Sequence, residues 1–319
     1  MRYFLLLDNK QGGNEFIAYS LGIPVKVCYS PETRKKIFGW LRGACNVLSI
    51  SAKGDTVISW YDFQAVILYW LCLLSGKKRK IVCINVLLKD KSTLRNKVVS
   101  FLYRKALQSN SFKASVTSEE YGKWLNRKLG TNVQFALVHD VYHNSYEYHK
   151  TVKPLPRSVF CGGSNGRDWH FIITLANLMP DITFNVVMPN DACRECSSSI
   201  SNNMHIKCNI SYDEFMTELC SSTIVCLPLN TEAPAGLIVM FQAAANLKPI
   251  IITKTTTTQE YINEERGSAI QNDVTIWIKT IRSYFDDASK AKLKAMKFKK
   301  YLAESCNEDM FVKQIKSML

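Results

Sequence analysis

Short apolar runs recur along this chain, and between each pair lies a stretch long enough for one helix. That alternation restricts the fold more than any other feature, because it builds a parallel sheet covered by helices on both faces. Arg2–Leu7 reads as a buried strand, followed by a glycine loop and a helix starting near Asn14-Glu15. Pro24–Cys28, Asp55–Trp60 and Ile81–Leu88 read as further strands. The last is nearly all apolar, as expected of a strand buried on both faces. Asp62 is placed to cap the apolar helix that ends at Gly76. Leu94, Val98, Phe101 and Leu102 recur at helical spacing, and Glu119–Leu129 reads as a helix closed by Gly130.

Thr151–Pro156 carries two prolines and reads as a linker. A second alternating series follows, with strands at Ser158–Cys161, Phe184–Met188, Ile206–Ile210, Thr223–Leu227 and Ile250–Thr253. From Val274 onward the chain reads as largely helical. Length and pattern predict two α/β units, residues 1–152 and 153–319, each a Rossmann-like doubly wound sheet. The last helix is expected to pack back on the first unit.

Charge separates the two halves. Residues 1–150 hold 23 Lys and Arg against 10 Asp and Glu, whereas residues 151–319 hold 18 against 17. A basic first half suits a polyanion or an anionic membrane surface. Nucleic acid is the weaker reading, since the aromatic residues lie mostly in apolar runs and no recognised binding motif is present. The longest apolar stretch, Ala65–Leu74, is far short of the ~20 residues that a spanning helix needs. With no secretory signal visible, a cytoplasmic, peripheral protein is expected. Several of the 11 cysteines, such as Cys72, Cys83 and Cys226, read as buried small hydrophobes in a reducing compartment. Cys193, Cys196, His205 and Cys208 have zinc-ligand types, but lie in a Ser/Asn-rich stretch that reads as a surface loop.

The segment Pro228–Ile252 reads strand, loop, glycine, helix, proline, strand. Gly236 at a helix N-terminus would let backbone N–H groups approach a phosphate. Gln242, six residues on, can reach a sugar hydroxyl. An ordinary β-α-β unit would show the same pattern. Gln242-Ala243-Ala244-Ala245-Asn246-Leu247-Lys248-Pro249, taken with Gly236, resembles the donor motif of bacterial GT-B glycosyltransferases, especially the family-four-like exopolysaccharide and capsule enzymes. That motif runs Gly-x-x-x-x-x-Glu-Ala-x-Ala-x-Gly-x-Pro, so Gln242 stands where glutamate is usual and Leu247 where the last glycine is usual. Phe160–Trp169, with Gly163 and Arg167, resembles the opening of the family's donor domain, and Thr255, Thr256 and Glu260 resemble the loop after the donor strand. Gly12-Gly13-Asn14-Glu15 resembles the glycine loop on the acceptor side.

The resemblance implies a GT-B fold and transfer of a sugar from a nucleoside diphosphate sugar, most simply UDP-linked, to a hydroxyl. The acceptor would be a polyprenyl-diphosphate-linked or growing surface polysaccharide at the inner face of the plasma membrane. The second unit would hold the nucleotide through Gly163, Arg167, Gly236, Gln242, Thr255, Thr256 and Glu260, and the first the acceptor beside Gly12 and Gly13. Glu15 and Asp62 follow strand ends and are the two candidate bases. No Asp-x-Asp motif is present, so neither a metal nor another cofactor is expected. Lys35, Lys36, Lys77, Lys78, Arg79, Lys80, Arg95, Lys97, Arg104 and Lys105 are the expected membrane contacts. A non-catalytic GT-B-like partner subunit and a nucleotide-sugar epimerase are the alternatives.

Overall fold

A computed structural model describes residues 1–8, 14–88, 94–196 and 200–319, with residues 94 and 95 described by their backbone only. Along the first part of the chain run β1 (Tyr3–Leu7), α1 (Phe16–Ser20), β2 (Val25–Tyr29), α2 (Lys36–Ile50), β3 (Thr56–Ser59), α3 (Asp62–Leu74), β4 (Lys80–Cys83), α4 (Leu94–Leu107), β5 (Phe112–Val116), α5 (Glu119–Leu129) and β6 (Ala136–Leu137). The second part carries β7 (Ser158–Gly162), α6 (Trp169–Leu178), β8 (Thr183–Met188), α7 (Asn190–Cys196), β9 (Met204–Cys208), α8 (Tyr212–Ser221), β10 (Ile224–Leu227), α9 (Leu237–Ala245), β11 (Ile250–Thr253), α10 (Thr258–Tyr261) and β12 (Ser268–Ile270). Three helices close the chain: α11 (Val274–Asp286), α12 (Ala288–Ser305) and α13 (Glu308–Lys316).

Two compact units result, Met1–Val141 with Glu308–Leu319, and Tyr142–Asn307. The prolines of the 151–156 stretch therefore belong to the second unit. The first sheet has the order β2-β1-β3-β4-β5-β6 and every pairing is parallel. One face packs against α2 to α5, with Phe4, Leu6, Val57, Ile81 and Tyr121 at its centre. The other face packs against α1 and α13, where Ile17, Phe311, Val312 and Ile315 meet Leu5, Leu7 and Ile58. Alternate residues of each strand thus serve opposite cores, as the two-residue side-chain period requires.

The second sheet has the order β12-β11-β10-β7-β8-β9, again all parallel. Its two cores are centred on Trp277 with Phe184, and on Phe160, Phe241 and Phe298.

Two expectations are corrected. The apolar run Ile81–Leu88 is a strand only as far as Cys83, because Asn85 takes a left-handed conformation with φ 47°. Its N–H donates to Ser115 Oγ at 2.8 Å, which pins a loop rather than extending a ladder. Ile84, Val86 and Leu88 are buried all the same, so apolarity reported burial and not extension. The 190–196 stretch is a helix, not a surface loop, with Ala192 and Cys196 turned inward.

Candidate functional site

In the second sheet β7 and β10 are neighbours, but the chain leaves β7 toward β8 on one side and β10 toward β11 on the other. Such a switch point opens a crevice beyond the carboxyl ends of the two strands, where ligands bind in open α/β sheets. Gly162-Gly163 closes β7 there, and Pro228 follows β10.

Arg167 ties the two ends together. It pairs with Leu229 across an isolated antiparallel bridge, and the neighbouring Asp168 N–H donates to Pro228 O at 2.9 Å. Its side chain is only 5% exposed. Nε donates to Gly162 O at 2.8 Å and Nη1 to Asn165 O at 3.0 Å. Among the described residues no carboxylate pairs with it. Burial pulls its pKa down to about 10, which still leaves it charged at neutral pH.

Gly163 makes room for this guanidinium. Gly163 has φ 110°, and a Cβ there would lie 2.6 Å from Arg167 Nη2. Gly236 has φ 81° and forms the N-cap of α9, where a Cβ would lie 3.5 Å from Arg167 Nη1. The free cation therefore stands beside the N-terminal end of α9, whose leading N–H groups and dipole also favour an anion. Both local fields carry the same sign.

Gln242 is buried on α9, with its side chain against the Tyr212 hydroxyl. Its Oε1 has no hydrogen-bond partner among the described residues. A buried amide oxygen without a donor is costly, typically 1–3 kcal/mol, unless a ligand supplies one.

The threonine loop is held by its own hydrogen bonds and by Glu232. Thr255 N–H donates to Thr258 Oγ1, Thr256 N–H to Glu232 Oε2, and the Thr257 and Thr258 amides to Thr255 Oγ1. All four amides are thus engaged within the protein, and they shape the crevice wall rather than present a bare amide row. Glu260, on the short helix α10, is partly buried. Sequence reasoning passed over Glu232, Thr253 and Asn272. Thr253 Oγ1 accepts the Leu229 N–H at 2.7 Å and donates to Asn272 Oδ1, and the Asn272 side chain donates in turn to Leu229 O. A polar residue ending an otherwise aliphatic strand was the available signal for Thr253.

In the first unit Gly12 and Gly13 lie outside the described residues. Glu15 precedes α1 and is partly exposed, and Tyr29 Oη donates to its Oε1 at 2.6 Å. That bond to the carboxylate is the largest cause of a Tyr29 pKa raised to about 12. Asp62 does not cap α3; it is the first helical residue after the N-cap Tyr61. Its carboxylate is buried and accepts the Phe63 and Leu87 N–H groups and the Tyr103 hydroxyl, at 2.7, 2.8 and 2.7 Å. Burial nonetheless raises its pKa.

The basic residues divide by position. Lys35, Lys36, Lys77, Lys78, Lys80, Lys97, Arg104 and Lys105 are exposed, and the Arg95 side chain lies outside the described residues. Arg79 is a correction: it is 7% exposed and bonds Ser51 Oγ, Ser51 O and Lys78 O. Lys35 and Lys36 start a helix at the carboxyl edge of the sheet, whereas Lys77 and Lys78 precede a strand at the opposite edge. A 13-residue helix, ~20 Å long, separates the two edges. The zinc-type cluster is likewise not assembled as such: Cys193 and Cys208 form a disulfide and Cys196 is buried.

No protein-family model and no curated protein matches the sequence. Solved structures do. Anabaena HepE in complex with UDP superposes with a TM-score of 0.71 at 12% identity, covering 100% of this chain and 98% of its own. Sucrose-phosphate synthase from Thermosynechococcus elongatus gives 0.72 at 11% identity, covering 100% and 98%. A glycosyltransferase from Rickettsia africae gives 0.64 at 12% identity, covering 99% and 97%. Two parallel six-stranded sheets in one chain, matched end to end by these structures, give this protein the GT-B fold.

Proposed function

We propose that the chain is a glycosyltransferase that takes its sugar from a UDP-sugar held in the second unit. The single observation that carries this reading is Arg167, a buried cation without a carboxylate partner among the described residues, set between Gly163 and the Gly236 end of α9 at the switch point. That constellation recognises a diphosphate. HepE, of the same fold, is described in complex with UDP and with UDP-glucose. Gln242 Oε1, unpartnered inside the same unit, accepts a hydrogen bond from a ribose hydroxyl in this reading.

In the reaction the bond between the anomeric carbon and the β-phosphate oxygen breaks, and the acceptor hydroxyl oxygen bonds to that carbon. Charge grows on the leaving diphosphate, and Arg167 with the α9 N-terminus meets it. The hydroxyl proton needs a base, and of the two candidate carboxylates Glu15 is partly exposed, whereas the Asp62 carboxylate is occupied by three donors inside the core. Thermal stabilisation by UDP tests the reading. Arg167→Ala should abolish it, and Gln242→Ala should weaken it by roughly five-fold in affinity, the worth of one hydrogen bond. A folded wild-type protein that no nucleoside diphosphate stabilises would refute it.

The same proposal places the acceptor on a lipid carrier at the inner membrane face. No helix among the described residues is long and apolar enough to cross a membrane. The support for peripheral contact is the start of α2, where Ile37, Phe38 and Leu41 are 43%, 54% and 40% exposed among Arg34, Lys35, Lys36 and Arg42. Apolar side chains within a basic rim suit an anionic bilayer surface.

A further inference from the structure

The first sheet has its own switch point. The chain leaves β1 toward β2 and β3 toward β4, on opposite sides. At the carboxyl end of β1 stands Asp8, with its side chain 18% exposed. The Trp40 indole N–H donates to its Oδ1 at 2.7 Å. The Tyr61 ring, just past the end of β3, lies 5.7 Å from Trp40 at an interplanar angle of 31°. Both aromatic residues are partly exposed.

This grouping is built by two glycines on α2. A Cβ on Gly39 would fall 2.5 Å from Pro31 O, and one on Gly43 2.2 Å from Ser30 Oγ. One turn apart, they let the helix press directly on the backbone that follows β2, which carries Trp40 to Asp8. Lys36 approaches Asp8 Oδ2 only at 3.6 Å and its side chain is 73% exposed. Such an exposed pair is worth little. The carboxylate therefore keeps acceptor capacity on Oδ2.

We propose that Asp8, Trp40 and Tyr61 form a saccharide subsite, so that the acceptor presents a neutral sugar ring to the first unit rather than its lipid phosphate. The inference rests on the glycosyltransferase reading for the word acceptor, but not for sugar binding itself. A carboxylate takes the hydroxyl hydrogen bonds of a sugar strongly, whereas it offers a phosphate no donor. Two adjoining aromatic rings supply the amphipathic surface on which the C–H face of a pyranose rests.

Saturation-transfer NMR with the methyl glycosides of glucose, galactose, mannose, N-acetylglucosamine and rhamnose tests this, with inorganic phosphate competing. At least one glycoside should give a signal that excess phosphate leaves unchanged. Asp8→Asn, which keeps the shape, should lower its affinity about ten-fold, the worth of a hydrogen bond to a charged group. Trp40→Phe, which keeps a ring but loses the N–H, should lower it less. Stabilisation by UDP should persist in both variants. Absence of every glycoside signal in the wild type, signals unchanged in both variants, or displacement by phosphate would overturn the subsite. A wild type that binds a glycoside but not UDP would leave the subsite standing and sink the transferase reading.

Discussion

Leu247 holds φ at 54°, the left-handed region, at the position where the resembled motif carries glycine. Leucine there costs roughly 1 kcal/mol relative to glycine. Leu247→Gly should therefore raise the urea midpoint, by up to about that much, without changing nucleotide affinity. Asp62 makes the opposite case. Removing its carboxylate strands the Leu87 N–H and the Tyr103 hydroxyl inside the core. Asp62→Ala should destabilise the fold by about 3 kcal/mol, and Tyr103→Phe by less, both read by chemical denaturation. Asp55 gives a pH dependence. The Ala52 N–H, the Arg2 backbone N–H and the Arg2 guanidinium hold its pKa down at about 2. Its unfolded value is about 3.9. A depressed carboxylate stabilises the folded state fully above the unfolded value, and that contribution is lost as pH falls toward 2. Between pH 5 and 2 the wild type should therefore lose more stability than Asp55→Asn, measured by denaturant midpoints across that range.

At the scale of elements, what the sequence showed and what it hid follow one division. Local chemistry was legible. Gly130 ends α5 at φ 59°, its N–H meeting Asn126 O and Arg127 O within four residues. Gly236 likewise stands at the N-cap of α9, where the sequence pattern put a glycine at a helix start. Long-range juxtaposition was not legible. Nothing in residues 36–43 announces that Gly39 and Gly43 face the backbone after β2, or that Trp40 meets Asp8 across 32 positions. The basic run 77–80 illustrates the same limit, since composition does not tell that Arg79 turns inward to Ser51. Alanine in a helix is ordinarily preferred to glycine by about 1 kcal/mol. Gly39→Ala should nevertheless lower stability, by about 1–3 kcal/mol, because its methyl meets a carbonyl oxygen that cannot swing away. The exposed start of α2 makes a further prediction. Phe38→Asp with Leu41→Asp should abolish sedimentation with phosphatidylglycerol vesicles, whereas Lys77→Ala with Lys78→Ala should leave it largely intact. A loss confined to the Lys77 and Lys78 pair would move the contact to the other edge.

For the whole molecule, the two doubly wound units were readable because each alternating series can bury a parallel sheet and little else, whereas the GT-B fold came from the resemblance of the Gly236–Pro249 segment. The division between the units was less so, since prolines mark rigid chain and not the place where packing changes partner. The chain leaves the first unit after Val141 and returns to it at Glu308. Phe311, Val312, Ile315 and Met318 are buried against α1 and the first sheet. The second unit is therefore a single uninterrupted stretch of chain, whereas the first is written in two pieces that meet only after the second has been made. A ribosome completing residue 141 has not yet supplied everything the first unit needs, and a stop before Glu308 would injure a unit most of whose residues were already made.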